Sequence, residues 1–190
     1  MTDGNQMPGV AAGRLGMRLL VASLSMLFGA TVMGYVVVRS RAASWPPPGV
    51  PSLPPGLLLS TGVLVASSAA IWVGMEGIRR GRQAELRGGL AATLTLGVAF
   101  LASQSYCWFS LVARNFTART NLYGFLFYLL TGLHALHVVG GLIPLGVTTA
   151  RAWRGRYTAA AHEGVAHVAL YWHFVDVVWL VLFVVLTLTS

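Results

Sequence analysis

Five long stretches of this chain are apolar almost without interruption, and the arginines and prolines collect between them. The stretches cover approximately residues 15–38, 57–75, 88–112, 122–148 and 165–187. Each can cross a hydrocarbon core, which takes about 20 residues in helical form. None shows the sustained two-residue alternation of a half-buried strand. In lipid the backbone must satisfy its own N–H and C=O groups, so runs of this kind predict helices, not a barrel. The pattern predicts an all-α integral membrane protein, a bundle of five transmembrane helices forming a single domain over residues 1–190. The first run is too long for the core of a signal peptide, and no basic stretch precedes it, so a retained helix is expected.

Composition agrees with the pattern. The 190 residues are 56% hydrophobic and 9% charged, against about a quarter charged in a soluble domain. Mean hydropathy is +0.70. The net charge of +8 comes from thirteen basic residues. All are arginines, and they flank the apolar runs as membrane anchors do, without forming a phosphate-binding face. That distribution excludes a nucleic-acid partner. Cys107 is the single cysteine, so no intrachain disulfide or thiolate metal motif is available.

Orientation follows from the arginines. With five spans, the N-terminus and the second and fourth loops share a side. That side holds Arg14, Arg18, Arg79, Arg80, Arg82, Arg87, Arg151, Arg154 and Arg156; the other holds Arg39, Arg41, Arg114 and Arg119. The excess predicts a cytoplasmic N-terminus and an external C-terminus. The first loop carries Pro46, Pro47, Pro48, Pro51, Pro54 and Pro55 and is expected to be extended and stiff. Pro144 is expected to kink or end the fourth helix. No internal repeat is visible, which counts against an inverted-repeat transporter.

The candidate chemistry lies at the membrane midplane. His134 and His137 sit near the centre of the fourth run, and His173 and Asp176 near the centre of the fifth. Each pair is spaced i, i+3 and shares a helix face. A central Asp costs about 2.5–3.5 kcal/mol on insertion scales, so a partner is expected for it. Matched depth predicts that the four side chains face each other across the contact between the fourth and fifth helices. Such a cluster could fix helix register, relay protons or ligate a metal, and the residues alone leave these three readings open.

Other residues have interfacial or packing readings. Trp45, Tyr106, Trp108, Tyr123, Trp153 and Tyr157 lie near span ends, where aromatic belts form. Arg18, Trp45, Trp108 and His162 are the candidates for lipid-headgroup contact, with His167 also near the interface. Gly124, Gly132, Gly140 and Gly141 offer small surfaces for close helix contact.

Specific strings then point to a family. The fifth run reads Tyr171-Trp172-His173-Phe174-Val175-Asp176-Val177-Val178-Trp179, and the fourth reads Thr131-Gly132-Leu133-His134-Ala135-Leu136-His137-Val138. The first resembles the signature of subunit III of haem–copper cytochrome c oxidases, and the second is similar to that family's T-G-x-H-x-x-H-V stretch. Leu15-Gly16-Met17, Trp45-Pro46-Pro47-Pro48-Gly49 and His162 with Gly164 extend the resemblance from about residue 15 to the end of the chain. It implies a short five-helix form, without the two extra helices that make a lipid-filled cleft in larger relatives.

The resemblance also implies a function. The chain would be a non-catalytic subunit of a proton-pumping oxygen reductase in a bacterial inner membrane. It would pack with subunits I and II and with membrane lipids. It would hold no cofactor, the haem and copper lying in partner subunits. Support of proton uptake and protection against inactivation during turnover are implied as well. Alternatives are a companion of nitric oxide reductase and a small independent transporter. Three positions depart from the family pattern: Leu24, Cys107 and Ala166 stand where members usually carry Glu.

Overall fold

The computed structural model describes residues 8–51 and 56–188, all of its regular structure being helical. The elements are α1 (Pro8–Arg41), α2 (Gly56–Arg79), α3 (Gln83–Ala113), α4 (Leu122–Trp153) and α5 (Glu163–Leu188). All five are long and apolar enough to cross a membrane. They outrun the stretches read from hydropathy, most of all at the arginine-rich end, where α1 begins at Pro8 and α4 continues to Trp153. Apolar composition marks only the length within hydrocarbon. A helix needs no apolar side chains to continue through the headgroup layer.

The helix ends have local causes. Asn121 caps α4 by accepting a hydrogen bond from the Gly124 N–H at 2.7 Å. The C-terminal ends of α2, α3 and α4 close alike. Gly81, Asn115 and Gly155 take positive φ values of 72°, 60° and 68°. The following N–H reaches back in each case: Arg82 to Gly77 O, Phe116 to Leu111 O and Arg156 to Arg151 O, at 2.8–3.1 Å. This is the Schellman arrangement, which satisfies the last orphan carbonyls.

Four helices form a ring, α2 beside α3, α3 beside α4, α4 beside α5, and α5 back against α2. The α2–α3 hairpin is the tightest contact. A Cβ on Gly89 would lie 2.6 Å from both Ala70 O and Gly74 Cα, so the two backbones touch. Trp172, Trp179, Phe100 and Phe127 fill the ring. Helix α1 lies outside it, leaning on α5 and, less, on α4. Its outward face of Leu15, Leu19, Met26 and Met33 is exposed, as suits a lipid-facing surface.

Several expectations change here. Pro144 does not end α4, which continues to Trp153, because the lost hydrogen bond to residue 140 is one of many in a long helix. Gly124 and Gly141 make close contacts, whereas a Cβ at Gly132 would meet nothing within 4 Å and one at Gly140 only Tyr171 Oη. The proline loop turns back on the bundle: Trp45 Nε1 donates to Tyr35 Oη at 3.1 Å, and its ring packs edge-on to Tyr123. Pro54 and Pro55 lie outside the described residues.

Candidate functional site

The signature helix α5 is held by α2. His173 Nδ1 and Ser68 Oγ lie 2.7 Å apart in a hydrogen bond. One position away on α2, Ser67 Oγ accepts from Trp172 Nε1 at 2.9 Å. Two turns further, Thr61 Oγ1 accepts from Trp179 Nε1 at 3.0 Å. Each of Ser67 and Thr61 donates its own proton to a carbonyl one turn earlier, Leu64 O or Leu57 O. The hydroxyl is thereby oriented to accept from the indole, with donor and acceptor both used. Thr93 of α3 also donates towards Ser67 O, at 3.3 Å.

The four midplane residues do not converge as expected. His173 is directed to Ser68 on α2. His137 is half-buried and uses Nδ1 on its own helix, at 2.7 Å from Leu133 O. A carbonyl only accepts, so Nδ1 carries the proton. The His137 ring faces Phe28 of α1 with centroids 5.0 Å apart. His134 is fully buried between Phe100 of α3 and Trp179 of α5, at centroid distances of 5.7 and 4.9 Å. Neither of its ring nitrogens has a hydrogen-bond partner among the described residues. Asp176 is buried beside Ser68, the serine that His173 engages, although neither carboxyl oxygen meets a partner at full hydrogen-bond geometry among the described residues.

The physical reason is rotation about the helix axes. Depth sets which residues are level, but the neighbours of α5 set which way its face points. The α2 hydroxyls draw His173 one way, while aromatic packing isolates His134. Among the described residues no three His, Cys, Asp or Glu side chains gather as a metal-holding group.

The interfacial candidates divide. Arg18 is exposed and, with the half-buried His162, lines a pocket at the arginine-rich end. Trp45 and Trp108 turn inward instead, Trp108 Nε1 donating to Thr131 Oγ1 at 3.2 Å across the α3–α4 contact. An indole N–H near a span end gains a protein partner where the bundle offers a hydroxyl, and then no headgroup is needed. Tyr123 and Tyr157 are likewise buried, while Tyr106 and Trp153 are exposed. Sequence reasoning missed Thr61, Ser67 and Ser68. Their spacing on one face of α2 was the available signal.

The positions lacking the expected carboxylates are apart from one another. Leu24 lines a groove with His137 and Tyr171. Cys107 is buried against the start of α2, where a Cβ on Gly56 would lie 2.9 Å from its Sγ. Ala166 lines the basic pocket.

Comparison with known proteins bears on this arrangement. The family model described as cytochrome c oxidase subunit III matches residues 2–190. Cytochrome c oxidase subunit 3 of a Synechocystis strain is 38% identical over 177 residues, covering 91% of this chain and 74% of that protein. The subunit 3 of Thermostichus vulcanus is 35% identical over 179 residues, covering 90% and 85%. A probable cytochrome c oxidase subunit 3 of Mycobacterium leprae is 35% identical over 167 residues, covering 87% and 82%.

Proposed function

This chain belongs to the cytochrome c oxidase subunit III family, and from that membership we propose how it serves the oxidase complex. It is a multi-pass membrane subunit that holds none of the redox groups and packs as one membrane domain against the catalytic subunit I, with subunit II in the same assembly. The haem and copper lie in those partners. The membrane is a bacterial inner membrane, with the N-terminus cytoplasmic and the C-terminus external, the orientation supported by the arginine excess. The observation that carries this reading is the match along nearly the whole chain. No observation favours the nitric oxide reductase companion or the independent transporter.

The midplane residues have a structural or proton-related role within it. His173 ties α5 to α2 through Ser68, which supports a structural part for that residue. His134 and Asp176 keep buried polar atoms without a well-formed hydrogen bond among the described residues. Each such atom costs about 1–3 kcal/mol when left unpaired. A stable bundle carries that cost either for a contact made in the complex or for support of proton uptake by subunit I. Deleting the chain from the oxidase and following oxygen consumption tests the role. The depleted enzyme should begin near the normal rate and lose activity faster during turnover. A depleted enzyme that keeps the intact enzyme's rate throughout would refute the supporting role.

A further inference from the structure

We propose that the interior of the four-helix ring is a water-binding site, in which ordered water joins Gln104 of α3 to His134 of α4 beside Ser60 of α2. Gln104 is 1% exposed and His134 is fully buried. Gln104 Oε1 and Nε2 and both ring nitrogens of His134 have no hydrogen-bond partner among the described residues. Buried side-chain polar atoms are, in the large majority, bonded to protein or to ordered water. Orphaned atoms on two facing helices therefore mark a place where a polar ligand is held.

Contacts on either side put the two side chains at one level. Trp108 Nε1 donates to Thr131 Oγ1 at 3.2 Å, and the Phe100 and His134 rings meet with centroids 5.7 Å apart. Gln104 lies one turn from Trp108 and one turn from Phe100, on the buried face of α3. It is thus held between the contacts that α3 makes with Thr131 and with His134. On α2, Gly56 meets Cys107 and Ser67 meets Thr93, which brings Ser60 close to the same level. Ser60 is fully buried and donates to Leu57 O at 3.0 Å, so its oxygen keeps the capacity to accept.

The chemistry of these groups selects water. A neutral imidazole carries one N–H and one acceptor nitrogen, and a side-chain amide also does both. Their partner must donate and accept, which water does and a simple cation or anion does not. The two ring nitrogens of His134 point apart, so one molecule serves one of them and a second serves the other. A buried water makes about three hydrogen bonds, a number that Gln104, His134 and Ser60 together supply. The rings of Phe100 and Trp179 pack on His134 at centroid distances of 5.7 and 4.9 Å, which encloses the site within protein. A water bridge is nearly as favourable as a direct hydrogen bond. It lowers the cost of burying His134 and gives that imidazole the proton-exchanging neighbour that a proton-related role requires.

The inference rests on buried groups of this chain and not on its place in the oxidase, so it is read by structure and stability and not by turnover. The test is a cryo-EM map of the full chain purified with its native partners, at a resolution that shows ordered water. Density peaks about 2.7–3.2 Å from the polar atoms of Gln104 and His134 are expected. A direct bond between the two side chains, protein partners for all of these atoms, or a dry interior would each overturn the proposal. Gln104→Leu and His134→Phe give a second reading, through the temperature at which the chain leaves the complex. Each alone should lower it by about 2–4 °C, because it strands the water and the remaining polar group. The two together should recover most of that loss and remove the peaks, since an apolar pair needs no water. Losses that simply add would overturn the proposal. Should His134→Phe fail to assemble, the Gln104→Leu map decides: loss of the bridging peak supports the site, and an unchanged peak overturns it.

Discussion

Ser68 of α2 and His173 of α5 are joined by a 2.7 Å hydrogen bond at the centre of the bundle. Ser67 beside it takes the Trp172 indole N–H. The most specific string in the sequence is thus read by serines on α2 and not by the histidines of α4. Hydrogen bonds between helices in membranes average about 0.6 kcal/mol and reach about 1.7. A double-mutant cycle of Ser68→Ala and His173→Phe, followed by unfolding of the purified protein, should give a coupling in that range. Additive effects would show that the contact contributes nothing.

Gly89 offers a sharper test of packing. A Cβ there would approach Ala70 O and Gly74 Cα at 2.6 Å, and both are backbone atoms of the facing helix. Gly89→Ala should therefore force α2 and α3 apart and destabilise the protein by about 1–3 kcal/mol. Gly88→Ala is the control, since its Cβ would meet nothing within 4 Å. Thermal unfolding of the two variants should separate them clearly, with Gly88→Ala at or above the wild-type midpoint.

Much of this architecture was legible in the sequence, and the part that was not has a physical explanation. Apolar length alone gives five helices, because lipid leaves the backbone no other solution. The glycines at 81 and 155 mark helix ends through their positive φ. Rotational setting was not legible. His134, His137, His173 and Asp176 are level in depth, yet the hydroxyls of Thr61, Ser67 and Ser68 and the Gly74–Gly89 contact decide which faces meet. Small hydroxyl residues within an apolar run carry little hydropathy signal while supplying the acceptors that buried indoles require. Trp45 and Trp108 were assigned to the lipid interface from their place near span ends, but Tyr35 and Thr131 supply their partners inside the protein.

The geometry also revises what substitution of Asp176 should do. Depth matching alone would have the histidines stranded by its removal. Its carboxyl lies beside Ser68 without a hydrogen bond of full geometry among the described residues, so Asp176→Asn, which keeps the volume and can still meet a hydroxyl, should change the stability of the isolated subunit by less than about 1 kcal/mol. Unfolding of the separated subunit checks this. A larger loss would show that the carboxylate depends on Ser68 more strongly than the geometry implies. A normal subunit that fails to support sustained turnover would place the role of Asp176 in the complex.

Topology can be read with the thiol chemistry this chain almost lacks. Cys107 is buried, so an introduced cysteine should dominate labelling by a membrane-impermeant reagent. Ala43 and Ala160 are exposed in loops at opposite ends of the bundle. Ala43→Cys should label in intact cells, and Ala160→Cys only after the membrane is opened. The reverse pattern would invert the proposed orientation.

The most direct test of the account is the optical spectrum and metal content of the affinity-purified chain, taken first with its native partners and again after it is separated from them. The complex should show haem absorbance and copper, and the separated chain should show neither. Haem or copper bound stoichiometrically to the separated chain, or a native preparation with no haem-bearing partner, would contradict membership in the oxidase as a subunit without redox groups.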